Sequence, residues 1–525
     1  MSSGGRRPPL LLTVPAVATV ALLLLPLAYL FVRATEGGGR GFRILTRDST
    51  VHLLWNTGLL VAGVVVSAVL VAVPLAWLVT RSDLPGRRWW AIAAALPLVI
   101  PSYVAALSLL GAFGPRGLAA DALGLERLPD IRGYWGALVA LTLSTYPYVF
   151  LLTAATLRDL DPALEEAARG LGQSRLQVFR RVTVPALRPP VAAGGLLVAL
   201  YVLSDFGVVS LMRYDALTRA IFLQYRSLFD RAPAAVLGLL LVGLTAVALL
   251  LELRARSGRS LYRTAPGAAR RVAPVSLGRW KAPALAFCGA TVGLFLIVPI
   301  AVLAIWLARG IERGDVSLPW SEAWSSLTAS GAAALVAVVA SLPVAVLALR
   351  FPRRWTRGLE RLSFAANALP GIVIALSLVF FAARYGGPLY QTLALLVFAY
   401  VVRFLPQALA GASSALQTVD PRLEEAARGL GRSQLKAVLQ VTAPLAAPGI
   451  LAGGALVFLS AMKELPATLL LRPIGFDTLA TEIWADTALG AYSRAAPEAL
   501  LLIVLSAPIL LLLGTGRESE LGSPG

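Results

Sequence analysis

Asp205 and Glu464 each interrupt a long uncharged run, a setting in which a carboxylate needs a partner or a wet cavity. Their oxygens suit hard cations, and softer ligands are scarce. Cys288 is the only cysteine, His52 the only histidine, and Met1, Met212 and Met462 the only methionines. A single cysteine permits no internal disulfide and no CxxC metal or redox pair, and a single histidine excludes imidazole-rich metal chemistry. Any metal handled here must accept oxygen ligands, so Asp205 and Glu464 are candidates for a transit station or outer gate for a cation. Arg403 lies in another apolar run and Lys463 adjoins Glu464, which leaves an Arg403–Glu464 ion pair equally open. Tyr103 and Tyr201 offer phenol oxygens but read as interfacial anchors or packing residues.

A second constellation is polar and occurs twice. LEEAARGLG fills Leu164 to Gly172 and again Leu423 to Gly431. Before the first copy stands Asp161-Pro162, before the second Asp420-Pro421. Aspartate is a good N-cap, proline fits the first helical position, and glutamates favour the first turns. Gly172 and Gly431 then permit a backbone turn, with Ser174 and Ser433 placed to cap the next short helix. Each copy predicts a rigid elbow of helix, glycine turn and helix, at 158–189 and 412–448.

The elements that position these residues are apolar spans. Of the 525 residues 58% are hydrophobic and 14% charged, far from the roughly one-quarter charged content of soluble domains. Apolar stretches with few or no charges run over 10–32, 53–79, 89–113, 133–157, 190–212 and 232–252, then 282–308, 325–349, 362–383, 390–411, 449–471 and 498–515. Each is near the ~20 residues that cross a bilayer, which predicts an all-α integral membrane protein with twelve transmembrane helices. The first run, behind Arg6 and Arg7, is too long for a signal-peptide core and reads as a retained helix. The net charge of +19 sits between spans, where arginine sets topology and meets anionic lipid; it does not form a nucleic-acid face.

Residues 254–281 carry eight basic and no acidic side chains, reading as a cytoplasmic linker between a first half, 1–253, and a second half, 282–525. Even span counts then place both termini and both elbows in the cytoplasm. Arg33, Arg40, Arg43 and Arg47, with Arg213, Arg219, Arg226 and Arg231, fall on the outer side against that trend. Duplication explains the halves. The offset of 259 between Leu164 and Leu423 also aligns Pro147 with Pro406, Pro185 with Pro444 and Asp205 with Glu464. Earlier the offset is 269, aligning Pro74 with Pro343, Arg81 with Arg350 and Pro101 with Pro370, so the loop after the third span is ten residues shorter in the second half. Six spans per half make the repeats parallel, related by a pseudo-twofold axis along the membrane normal on which a pathway should lie.

The elbows carry a resemblance. Glu166, Ala167, Ala168, Gly172, Val182, Val184 and Pro185 fill the pattern EAA, three residues, Gly, nine residues, an aliphatic, one residue, an aliphatic and Pro. Glu425, Ala426, Ala427, Gly431, Val441, Ala443 and Pro444 fill it again, with Ala443 where a leucine is usual. In this the chain resembles the permeases of ABC importers. The resemblance implies two homologous six-helix halves of the type I importer kind, and a short helix in each elbow that docks on one cytoplasmic ATPase subunit. Two elbows imply two such subunits. Lys281, Lys436 and Lys463 are the only lysines and none lies in a GxxxxGK[ST] loop, so ATP would be hydrolysed by the separate ATPase, with no cofactor bound by this chain and no enzyme activity of its own.

The segments SDFGVVSLMRYDALT from Ser204 and KELPATLLLRPIGFDTLA from Lys463 are similar to the fused ferric-iron permeases. That similarity implies iron(III), received from a periplasmic or extracellular solute-binding protein and carried across the inner membrane of a bacterium. Thiamine importers share the fused arrangement, and thiamine, sulfate or a similar small solute remains the alternative. A secondary carrier should show ionisable relays without paired elbows.

Overall fold

Backbone in hydrocarbon has no water to bond, so a long apolar run must satisfy its N–H and C=O groups internally, as a helix. The computed structural model describes residues 8–36, 38, 43–160, 162–226, 232–257, 274–366 and 369–515. Eleven of its helices are long and apolar enough to cross a membrane: Leu10–Glu36, Asp48–Arg81, Ser102–Ala122, Tyr134–Asp159, Leu176–Ser204, Ala232–Arg254, Gly278–Arg313, Trp320–Arg350, Gly371–Leu389, Leu393–Thr418 and Gln440–Met462. Helix Tyr492–Thr515 covers the twelfth apolar run, and the chain is a multi-pass membrane protein. Asp161, linker residues 258–273, Arg40, Arg231 and both termini lie outside the described residues.

Reading spans by the absence of charge shortened several of them. Spans 2 and 8 begin with acidic residues in their first turns, Asp48 and Glu322, and close on Arg81 and Arg350. Both signs complement the helix dipole, so charge belongs to these helices instead of bounding them. The third span is also not one helix. Arg87–Ala95 and Ser102–Phe113 are separated by the 3-10 turn Leu96–Val99; in the second half Arg354–Ala365 and Gly371–Phe381 are likewise separate. Pro101 and Pro370 stand at the two breaks, because a proline disfavours helical backbone at the residue before it. The extra residues of the first half's following loop include the short helix Leu118–Ala122.

The fifth and eleventh spans were expected to continue to 212 and 471. They stop at Ser204 and Met462, and short helices Gly207–Leu211 and Pro466–Leu471 follow. The reason is chemical: Asp205 and Glu464 accept hydrogen bonds from backbone N–H groups three residues on, Val208 and Ala467, which is how a side chain starts a new helix. Neither carboxylate lies within a continuous helix, as the charge-free reading had placed it.

The halves exchange their first spans. Ala16, Val20 and Leu23 of span 1 belong to the core of the second half, and Tyr29 donates to the Phe380 carbonyl at 3.4 Å. Reciprocally, Cys288, Phe295, Val302 and Trp306 of span 7 are buried in the core that the first half supplies, and Trp306 Nε1 donates to the Gly111 carbonyl at 3.0 Å. Each half is therefore incomplete without the other.

The end of the linker is clipped to the turn after span 2. Val275 N–H donates to the Arg81 carbonyl at 2.7 Å and the Val275 carbonyl accepts from Asp83 N–H at 3.1 Å, an isolated parallel bridge between Ser82 and Val275. Asp83 then takes the Leu277 N–H and the Lys281 ammonium, both at 2.9 Å. These two donors hold the Asp83 carboxyl below its ordinary value. A depressed carboxylate pKa contributes stability above the unfolded value and loses it as pH falls through the folded one. Amide exchange at Val275 and Leu277, corrected for intrinsic rate, should accordingly stay constant between about pH 5 and 8 and rise in Asp83→Asn; unchanged protection in that variant would remove the clip from the account.

Candidate functional site

Both elbows fold as their residues demand. The first runs helix Pro162–Gly170, a turn at Gly172, helix Arg175–Val178 and a π turn Phe179–Thr183, before Pro185 opens span 5 proper. The second repeats it as Pro421–Gly429, Gly431, Gln434–Ala437, Val438–Thr442 and Pro444. Gly172 and Gly431 have φ of 80° and 83°, left-handed backbone that glycine enters without the Cβ penalty. The Asp420 side chain accepts from Arg422 N–H, and Ser174 and Ser433 accept from Gln177 and Lys436 N–H groups, all as caps.

What each elbow presents is a small, exposed face. Glu166 and Ala167 are exposed, as are Glu425 and Ala426, and beside them Leu171 and Leu430 are 81% and 85% exposed. An apolar residue left so bare in the same place of both copies fits a surface that another protein covers. Ala168 is buried and Ala427 half-buried against this chain, so they allow close approach inward instead of lining the free face.

The residues that fasten the elbows are ones the motif does not name. Glu424 turns back to Arg350 at the C-terminal end of span 8, at 3.0 Å, and accepts from Thr442 Oγ1 at 3.4 Å. Glu165 faces the equivalent Arg81 and Thr183, at 3.8 and 3.2 Å. The sequence held this signal, since Arg81 pairs with Arg350 and Thr183 with Thr442 under the two repeat offsets. Arg81 is only 5% exposed, yet its three guanidinium nitrogens make no hydrogen bond. The arginine contact is thus longer in the first elbow, whereas the threonine bond is the shorter of the two.

The second candidate cluster lies where the halves meet. Asp205, 8% exposed, takes Ser102 Oγ at 2.5 Å as well as the Val208 N–H at 2.9 Å. Glu464, 5% exposed, takes Arg403 Nη1 at 2.8 Å as well as the Ala467 N–H at 3.2 Å. The two carboxylates are equivalent in the repeat but are satisfied differently. Ser102 corresponds to Gly371 and Arg403 to Ser144, and a Cβ on Gly371 would collide with the Arg403 guanidinium. Losing one hydroxyl opens the space that the arginine fills, so the ion pair left open by the sequence is present. Lys463 reaches across to the Leu98 carbonyl of the other half at 2.8 Å.

Because the Arg350–Glu424 pair is partly exposed, a double-mutant cycle with Arg350→Ala and Glu424→Ala should give a coupling of about 1 kcal/mol in thermal unfolding. Strict additivity would show that the pair does not fasten the elbow.

Known proteins match this architecture. The family pattern of the binding-protein-dependent transport system inner membrane component fits twice, at residues 68–254 and 337–515, once in each half and across both elbows. An Fe(3+)-transport system permease protein of Haemophilus influenzae is 34% identical over 97% of this chain and 98% of its own length. A ferric transport system permease protein of Actinobacillus pleuropneumoniae is 25% identical over 80% of this chain and 64% of its own length. A sulfate transport system permease protein of Salmonella typhimurium is 31% identical over 36% of this chain and 68% of its own length. Two elbows on duplicated bundles, matched by the same pattern in both copies, make this chain a member of the binding-protein-dependent transport permeases of ABC importers.

Proposed function

We propose that the chain is the iron(III) permease of an ATP-driven importer, receiving the ion from a periplasmic or extracellular binding protein. Its first half is 1–253, its linker 254–281 and its second half 282–525, with both termini and both elbows in the cytoplasm. Two ATPase subunits dock on the elbows, one on the face of Glu166, Ala167 and Leu171 and one on the face of Glu425, Ala426 and Leu430. Closing of the ATPase pair would push each elbow against the span ends that Glu165 and Glu424 grip. Hydrolysis of ATP belongs to those subunits.

The observation that carries the transport reading is the pair of matched elbows with equally bare faces. Iron(III) rests on the full-length similarity to the Haemophilus permease and on donor chemistry: the buried polar groups at the junction of the halves are oxygens, arginine and lysine, and hard oxygen donors suit a hard cation. The shorter similarity to a sulfate permease favours an oxyanion as the second reading.

In a strain lacking the chain, its return should restore uptake of labelled ferric iron and leave thiamine and sulfate uptake unchanged; restored sulfate or thiamine uptake without iron would overturn the solute. Charge reversal by Glu166→Lys with Glu425→Lys should cut ferric uptake at least about tenfold, the equivalent of 1.4 kcal/mol at the docking faces. Asp205→Asn with Glu464→Gln should lower it as well, and full uptake in that double variant would remove both carboxylates from the pathway.

A further inference from the structure

Among the described residues no three aspartates, glutamates, histidines or cysteines gather around one point. A trivalent cation passing between the halves therefore meets too few carboxylates at any step, and other oxygens must contribute. Phenols are the available ones. Tyr103 stands beside Ser102 at the start of the second helix of the broken third span, is 3% exposed, and has a hydroxyl without a hydrogen-bond partner. A buried unpaired hydroxyl is destabilising, so its presence asks for a reason.

Its surroundings supply one. Tyr103 lies within electrostatic reach of Glu464 and Tyr400 of the second half and of Tyr201 of its own half. Tyr201 in turn senses Asp205, Ser102 and Arg403. The two halves are in van der Waals contact here: a Cβ built on Gly207 would lie 2.9 Å from Tyr103 Cβ and 3.3 Å from Leu465 Cδ2. The two carboxylates and Tyr400 each have a bond of their own. Asp205 has Ser102, Glu464 has Arg403, and Tyr400 has Thr468 at 2.6 Å.

We infer that the Tyr103 phenol oxygen is a ligand for iron(III) in transit, completing with Asp205 and Glu464 a mixed phenolate–carboxylate site across the seam between the halves. The inference rests on the iron(III) reading above. Phenolate is a hard, anionic oxygen and a known partner of ferric iron. Coordination takes the deprotonated form, so the phenol proton is released to water as the ion docks. No redox change is involved. In this structure the carboxylates are held by Ser102 and Arg403, and the Tyr103 hydroxyl is the oxygen already unbound.

Tyr103→Phe separates this role from packing. If the ring only packs, removing an unpaired hydroxyl leaves the protein at least as stable and transport intact. The ligand role predicts an unfolding temperature equal to or above that of the parent, with ferric uptake lowered at least about tenfold, the range for losing a group on which a metal site depends. The complete transporter with its ATPase, in nanodiscs and loaded with ferric nitrilotriacetate, should show the visible charge-transfer band of ferric phenolate, and Tyr103→Phe should lose it. An undiminished band or normal uptake in the variant overturns the inference, as does a parent that carries iron without any such band. A parent that takes up no ferric iron overturns the solute reading itself, a result distinguishable because it appears before any substitution is made. Should Tyr103→Phe fail to fold, the band and its loss on adding a competing chelator to the parent still decide the matter, since a parent band absent under turnover rules the ligand out.

Discussion

The proposed coupling depends on two carboxylates that tie the elbows to the ends of the spans. Glu165 and Glu424 join a short surface helix to an arginine that closes a transmembrane helix and to a threonine in the π turn that opens the next one. An elbow held only by its own backbone would swing freely when pushed. Tied at both sides, it is placed, under the proposed mechanism, to pass a displacement to two spans at once. The ties differ between the copies, with a direct bond in the second half and a longer approach in the first. Duplication supplied two elbows, and divergence has changed the lengths of their ties.

The same divergence shapes the seam. Replacing a serine by a glycine at 371 and a serine by an arginine at 403 converts a hydroxyl-bonded carboxylate into an ion pair while both acids keep their capping bonds. Burying a charge demands compensation in low dielectric, and each half meets that demand within its own bundle. The exchanged first spans then lock the halves together through Tyr29 and Trp306, and the linker is pinned beside Arg81 by Asp83 and Lys281. The fastening of the first elbow, the linker and the end of span 2 thus share one short stretch of chain.

Much of this was legible in the residues. Helix number, the parallel duplication and both elbows follow from apolar run length, a repeated nine-residue string and the cap chemistry of Asp-Pro and glycine. The span ends were less legible, because Asp48 and Glu322 were treated as boundaries although acidic residues stabilise a helix start. The breaks at Asp205 and Glu464 were hidden for a related reason: run length alone carries both spans through the carboxylate, whereas each carboxylate follows the end of one helix and bonds the first turn of another. The Arg–Glu–Thr fastenings were visible in the two offsets taken together, but the elbow motif directs attention to Glu166 and Glu425, the exposed members of each pair. The Ser102–Gly371 exchange, by contrast, has meaning only once the arginine is seen to occupy the vacated space.

Cross-linking in membranes tests the lever most directly. Cysteines placed singly at 166 and 425 in a Cys288→Ala background should each capture an ATPase subunit from the cytoplasmic side, and the yield should change when a non-hydrolysable ATP analogue is added. Labelling of either position from outside the cell, or capture of no ATPase at either, would contradict the account.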